Sequence, residues 1–289
     1  MFLNDDWKDY ELIDVGNGEK LERWGDIILR RPEPQAIWPV SDEKLWSKAH
    51  AHFQRSVAGK GTWEYYQNIP QEWNISYKDL VFHVKPMGLK HTGLFPEQAV
   101  NWDWMINKIK NRKEPVKVLN LFAYTGGATA AAAYAGAEEV CHVDASKGMI
   151  SWAKENIQLS GLEHQKVRFI VDDAVKFVQR EIRRGRQYDG IIMDPPSFGR
   201  GPKGEIWKIE NELYGLVELC SQVLSPRPLF YLINSYTTGL APAVLYNILT
   251  VTLNKKYGGK TTADGIGLPV TGTDLILPCG ASGRWESLG

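Results

Sequence analysis

Val116-Lys117-Val118-Leu119-Asn120-Leu121-Phe122-Ala123-Tyr124-Thr125-Gly126-Gly127 runs straight into an alanine-rich stretch at 128–135. The apolar start, 116–122, follows Pro115 and reads as a buried strand. The glycines read as a turn, and the alanines as a helix that must pack closely on a sheet. Working outward, 139–143 is a second strand and 147–159 a second helix, with Gly161 just past its end as a stop. A third strand at 167–171, a helix at 174–184 and a fourth strand at 188–193 continue the rhythm. Beyond them come a helix at 209–224, a fifth strand at 228–233, a helix at 241–253 and a closing strand at 274–277. This alternation predicts an α/β fold: an open, mainly parallel sheet with helices on both faces.

The first ninety residues are built differently. Segments 10–15 and 27–31 alternate like strands around the turn signal Gly16-Asn17-Gly18, and 42–54 fits one amphipathic helix. Segments 74–77 and 80–85 flank Lys78-Asp79 like a hairpin. The expectation is a small β-rich accessory domain at 1–90, with a possible RNA contact, followed by the α/β domain at 91–289. The stretch 86–96 connects them. Eight of the eleven tryptophans precede residue 105. Most are expected to serve a small core, with base stacking as the other use of such side chains.

Of 289 residues, 43% are apolar and 24% charged, the balance of an ordinary globular protein, so disorder is not the default. No stretch approaches the roughly 18 to 20 apolar residues of a membrane span, and Met1-Phe2-Leu3-Asn4-Asp5-Asp6 lacks the form of a secretory signal. The three cysteines, Cys141, Cys220 and Cys279, lie far apart with no histidine at ligand spacing. They form neither a disulfide framework nor a metal site, and a cytoplasmic location is expected. Lys plus Arg and Asp plus Glu both number 34, so bulk charge alone cannot hold this protein on nucleic acid. Local surpluses remain. Lys176, Arg180, Arg183, Arg184, Arg186, Arg200, Lys203 and Lys208 outnumber the acids around them, and Lys108, Lys110, Arg112 and Lys113 form a second cluster. Such runs serve either a partner or a solvated helix face. No dimer motif is visible, and a monomer is expected.

In sheets of this kind, ligands sit outside the carboxyl ends of the strands. The first loop, Asn120 to Gly127, has glycines that let a ligand approach the backbone, but not the GxGxxG spacing of a dinucleotide site. Asp144 ends the second strand, where a carboxylate can hold the two hydroxyls of a ribose. Asp173 follows the third, where it can accept from an adenine amino group. Glycine loop and two acids together describe an adenosine pocket without phosphates, suited to S-adenosylmethionine. Each feature also has a purely structural use. The glycines can form a tight turn, Asp173 can cap a helix, and Asp144 can cap the helix near Lys147. The fourth loop, Asp194-Pro195-Pro196-Ser197-Phe198, follows an apolar strand. Its prolines make a rigid frame for Asp194, and Phe198 can stack on a base or pack inward.

Taken together, 120–127, Val143-Asp144-Ala145-Ser146, Asp172-Asp173-Ala174 and 194–198 resemble the class I S-adenosylmethionine methyltransferases of large-subunit (23S) ribosomal RNA. Thr92-Gly93-Leu94-Phe95-Pro96-Glu97-Gln98 looks like the segment that leads into the cofactor domain in that family. The resemblance covers roughly residues 90 to 280. It implies a Rossmann-like sheet, S-adenosylmethionine as cofactor, an rRNA or precursor-subunit partner and no metal. Asn120, Phe122, Tyr124, Thr125, Gly126, Gly127, Asp144, Ala145, Asp173 and Ala174 are the implied cofactor residues, and Asp194, Pro195 and Phe198 the implied catalytic ones.

The family includes cytosine-C5 and guanine-N7 enzymes. Cytosine C5 is a poor nucleophile, activated by a cysteine that adds to C6. In that branch the cysteine sits just after strand five, where this chain reads Asn234-Ser235-Tyr236-Thr237-Thr238. Cys279 is far along the chain, and Cys141 and Cys220 have the setting of core residues. Guanine N7 needs only its in-plane lone pair and good alignment. The expectation is therefore methyl transfer to rRNA guanine N7. An exocyclic amine or cytosine C5 is the alternative base target, and a protein or small molecule the alternative substrate.

Overall fold

The computed structural model describes residues 1–55, 61–201 and 203–289. The chain forms two compact units, one of Met1–Phe2, Val100–Ile266 and Cys279–Gly289, the other of Leu3–Ala99 and Gly267–Pro278.

In the smaller unit, β1 (Tyr10–Gly16), β2 (Glu19–Trp24), β3 (Ile27–Pro32), β4 (Ala51–Arg55) and β5 (Gly61–Tyr65) form a sheet in that order, and β6 (Trp73–Tyr77) pairs with β7 (Leu80–Val84) as a separate hairpin. Asn17 and Gly18, with φ of 51° and 78°, make the tight β1–β2 turn that Asn-Gly favours. The expected turn is correct, but its second strand is β2 rather than 27–31. Four of the six β2 residues are charged, and one of them, Glu22, points inward, so period-two alternation is hidden. The helix expected over 42–54 is a correction. Only α1 (Glu43–Trp46) is helical, and Ala51 and Phe53 instead alternate into the core on β4, where pairing with β3 and β5 overrides helical spacing. The 74–77/80–85 hairpin is present. None of the eight early tryptophans is exposed, and Trp38, Trp46, Trp63 and Trp73 each donate an indole hydrogen bond within the unit. They are structural.

Glu22, fully buried, organises this core. Arg31 donates to both of its carboxylate oxygens at 2.6 and 2.7 Å, and the Tyr10 hydroxyl donates at 2.7 Å. Burial pushes the Glu22 carboxyl up, but the charges of Arg31 and Lys20 and these hydrogen bonds outweigh it and bring it down to about 2. The depressed carboxyl stabilises the fold above its ordinary value of 4.5, and that contribution is lost as pH falls through 4.5 towards 2.

The larger unit begins with α2 (Ala99–Lys110) and alternates β8 (Lys117–Leu121), α3 (Gly127–Tyr134), β9 (Glu139–Asp144), α4 (Lys147–Leu159), β10 (Val167–Val171), α5 (Ala174–Arg183) and β11 (Gly190–Met193). A short hairpin, β12 (Phe198–Arg200) and β13 (Ile206–Lys208), precedes α6 (Ile209–Ser221), β14 (Phe230–Ser235), α7 (Pro242–Leu249), β15 (Lys260–Pro269) and β16 (Ile276–Glu286). The sheet order is β10-β9-β8-β11-β14-β16-β15, with the first five strands parallel and β16 antiparallel to β14. This is the predicted Rossmann-like sheet. Leu119, Leu121, Ile191, Met193, Tyr231 and Ile233 face α5, α6 and α7. On the other face Ala130 to Ala133, all fully buried, bring α3 close to the strands, and Trp104 of α2 packs edge-on against Phe230.

Three corrections apply to this unit. The closing strand is β16, not 274–277, and β15 precedes it. Both escape pattern reading because they carry glycines and buried polar residues such as Thr261, Ser282 and Arg284. The helix of 241–253 is α7 followed by a π-helical turn at Thr250–Asn254. Among the described residues no helix is long and apolar enough to cross a membrane.

Two outcomes are expected. Glu22→Gln removes the carboxylate paired with the buried Arg31 and should cost about 3 to 5 kcal/mol at neutral pH in urea unfolding. The deficit should shrink towards pH 2; an equal loss at both pH values would mean lost packing instead. A Cβ on Gly127 would meet a Trp102 ring carbon at 2.7 Å. Gly127→Ala should therefore lower stability by about 1 to 3 kcal/mol, read by thermal unfolding.

Candidate active site

The sheet order reverses at β8: the chain steps outward to β9 and β10, then returns to β11 on the other side. The gap beyond β8 and β11 is therefore the point where neighbouring loops diverge and a ligand can enter. Leu121 pairs with Met193, and Met193 with Ile233, so the loops starting at Phe122, Asp194 and Asn234 open at one level.

In the first loop Phe122 and Tyr124 both have φ of 53° and Gly126 has 83°, whereas Ala123 and Thr125 between them stay out of that region. Bulky residues in this conformation cost about 1 to 3 kcal/mol each, so the surroundings must hold them. Ala123 N–H donates to the Val143 carbonyl at 3.0 Å and Tyr124 N–H to Asp144 Oδ2 at 2.9 Å. The buried Asn156 amide donates to the Thr125 carbonyl at 2.8 Å. Alternation of this kind turns backbone N–H groups into a concavity suited to an anion. Gly126 is required by its φ, and a Cβ there would lie 3.0 Å from the Ala153 methyl. Both glycines thus serve the tight strand-to-helix turn as well as the open backbone.

Asp144, half-buried, also accepts from Ser146 N–H at 2.8 Å, while Ser146 caps α4. The helix-cap use considered for Asp144 therefore belongs to Ser146. For Asp173 it is real: the exposed side chain accepts from Lys176 N–H at 2.9 Å. Asp172 N–H reaches the Asp144 carbonyl at 3.1 Å, and the Asp172 carboxylate binds Arg180 and the Asp173 N–H. Ala145 is exposed and Ala174 buried beside them.

Asn120 is buried, and its amide donates to Thr129 Oγ1 at 3.0 Å. The Thr129 hydroxyl also shares a hydrogen bond with His142 Nδ1, 2.8 Å away, whose direction the ring tautomer sets. Burial pushes His142 down to about 3, so the ring is neutral and closed to substrate. Sequence reasoning missed His142 altogether; its place on strand two, facing the first helix, was the available signal.

On the fourth loop Asp194 is half-buried, Pro195 buried and Phe198 50% exposed. Phe198 does not end a simple loop, as expected, but opens the β12–β13 hairpin. Trp207 Nε1–H donates to the Pro196 carbonyl at 2.6 Å, and the Trp207 ring lies 6.2 Å from that of Phe122. Ser197 and Thr237 hydroxyls are 2.5 Å apart, joining this loop to the one after β14. Asn234 is turned inward, accepting from Asn101 at 3.1 Å and Ser282 at 2.6 Å. Trp207 was not among the sequence candidates, because the hairpin that carries it lacks apolar alternation.

Cys141 and Cys220 are buried, and burial pushes their thiols up to about 11 and about 12. Cys279 is partly buried. Because β16 runs antiparallel to β14, with Ala281 opposite Ser235, Cys279 returns to the sheet end where β14 finishes, despite its distance in sequence. Among the described residues no cluster could hold a metal ion.

The polar groups gathered at this edge are accepting carboxylates and donating backbone amides, and the first loop carries no cation. Asp144 and Asp173 each retain acceptor capacity beyond their backbone bonds. This set suits the hydroxyls, amino group and carboxylate of S-adenosylmethionine.

Residues 36–222 match the S-adenosylmethionine-dependent methyltransferase family. A methyltransferase structure from Agrobacterium tumefaciens, described as S-adenosylmethionine-dependent, is 39% identical, with a TM-score of 0.92 and coverage of 99% of this chain and 92% of that one. A Streptococcus mutans structure, 18% identical with a TM-score of 0.74 and coverage of 98% and 76%, shares the fold. The Shewanella baltica ribosomal RNA large subunit methyltransferase K/L is 34% identical over 208 residues, 71% of this chain, and the chain spans only 27% of that relative. The sheet, the edge chemistry and these likenesses converge: the chain belongs to the S-adenosylmethionine-dependent methyltransferase family, and S-adenosylmethionine is its cofactor.

Proposed function

We propose that this enzyme methylates a base of large-subunit ribosomal RNA in the cytoplasm, with guanine N7 as the acceptor. The observation that carries the reading is the position of Asp194-Pro195-Pro196-Ser197-Phe198, at the end of a central strand between the cofactor loop after β8 and the loop after β14. Support for an rRNA substrate comes from the K/L relatives, whose name states it. Support for N7 comes from the lack, among the described residues, of a thiol or exposed histidine in the loops after β11 and β14.

In this reading the first loop takes the methionine end, with Phe122 and Tyr124 beside it and Asn120 holding the loop from below through Thr129. Asp144 and Ala145 take the ribose, and Asp173 and Ala174 the adenine. S-adenosylmethionine, when bound, supplies a methyl group on a sulfonium sulfur. Pro195 holds Asp194 rigid, and Phe198 stacks on the extruded base. With N7 as acceptor, its lone pair would take the methyl carbon as the sulfonium left as a neutral thioether, and no proton would have to leave the base. The chain's contribution is alignment, which can supply about 7 to 11 kcal/mol, and the charge of Asp194 beside a base that becomes cationic.

Purified protein with isotope-labelled S-adenosylmethionine should place label in 7-methylguanosine when given rRNA from cells lacking the gene, as read by nucleoside mass spectrometry. Label in N2-methylguanosine or N6-methyladenosine would make Asp194 an acceptor for an amino hydrogen. Label in 5-methylcytidine would bring in Cys279, the thiol at the same sheet end. Label in protein alone would overturn the rRNA assignment. Asp194→Ala should lower transfer at least about 100-fold with cofactor affinity nearly intact, measured by calorimetry. Loss of both together would make Asp194 structural.

A further inference from the structure

The two basic surpluses in the sequence separate once their partners are identified. Arg184 pairs with Glu181, Arg186 with both Glu139 and Glu181, and Arg180 with Asp172. Glu139 begins β9, so the Arg186 cluster lies at the amino end of the sheet, away from the candidate site. Lys108 pairs with Glu286 and Arg112 with Glu114. Five of these twelve charges are therefore engaged by acids of the fold.

The β12–β13 hairpin presents its cations differently. Its residues alternate strictly, with Phe198, Arg200, Ile206 and Lys208 exposed and Gly199 and Trp207 half-buried. Phe198 pairs with Lys208 and Arg200 with Ile206, so the four exposed side chains share one face. That face carries two cations, an aromatic ring and an aliphatic side chain, with no acid. Phe198 is 50% and Ile206 56% exposed, and the Arg200 guanidinium lies 5.9 Å over the Phe198 ring. Neither Arg200 nor Lys208 has an ion-pair partner among the described residues. The opposite face is fastened: Trp207 holds the Pro196 carbonyl, and Ile209 N–H donates to the Ser197 carbonyl at 3.1 Å. The root of the hairpin is thus stapled to the Asp194 loop.

We propose that the outer face of this hairpin is the track along which a single-stranded RNA segment reaches the active site. The proposal rests on the rRNA reading above and specifies how the substrate is held. Interleaved cations and apolar side chains on a stiff surface are what a single strand requires, because phosphates and base faces alternate along it. Arg200 and Lys208 take the phosphates flanking the target nucleotide, and Ile206 contacts the neighbouring base. A duplex, whose bases are stacked away, would meet only the two cations.

The test uses the full chain and a fluorescein-labelled 20-nucleotide single-stranded RNA of mixed sequence, followed by anisotropy over a range of KCl concentrations, with the matching duplex alongside. Arg200→Gln/Lys208→Gln should bind the single strand about tenfold more weakly at low salt, with the salt slope reduced by about 1 to 2, while calorimetric affinity for S-adenosylmethionine stays unchanged. Ile206→Ser should weaken single-strand binding and leave the salt slope alone. Wild-type protein that binds or methylates RNA, with the double variant matching it in affinity and slope, would overturn the hairpin proposal and spare the rRNA reading. Equal affinity for duplex and single strand would overturn the single-strand track. A wild type with no salt-dependent RNA affinity and no transfer to rRNA would overturn both.

Discussion

One carboxylate ties together the loops on which the candidate site depends. Asp144 receives the Tyr124 N–H on one oxygen and the Ser146 N–H on the other, while its own carbonyl receives the Asp172 N–H. Three consecutive strand ends are therefore referenced to a single residue. The strained backbone at Phe122 and Tyr124 persists because this residue and Asn156 over-determine it. A carboxylate used in this way is already oriented and partly desolvated before any ligand arrives. The ordering cost of the pocket is met in folding, not in binding.

Beneath that edge lies a second polar layer, and its neutrality matters. The chain from Asn120 through Thr129 to His142 passes under the glycine turn with no formal charge in it. A protonated imidazole there would be an unpaired buried cation, and burial prevents it. The smaller unit treats buried polarity differently. Glu22, Arg31 and Tyr10 form a charged network whose members satisfy one another, a design that depends on every partner being present.

The parallel half of the sheet was legible because its strands are buried on both faces and read as continuous apolar runs, as 118–121 and 190–193 do. Its loops were legible for the same reason: once the strands are placed, Gly126, Asp144, Asp173 and Asp194 fall at their ends. What escaped is where tertiary pairing or buried polarity decides. β2 hides Glu22 inside, β4 looks helical over a longer window, and β15 and β16 bury Thr261, Ser282 and Arg284. The Asp173 cap shows that an acid at a strand end has a structural duty of its own. Cys279 shows that separation along the chain says little about an antiparallel return.

The smaller unit is not contiguous in sequence, since Gly267–Pro278 belongs with Leu3–Ala99. Thr271 N–H, for instance, donates to the Leu12 carbonyl at 3.0 Å. An accessory unit assembled from two distant segments cannot be gained, lost or exchanged by one recombination event. A single genetic breakpoint near residue 100 would leave each product with a piece of the other.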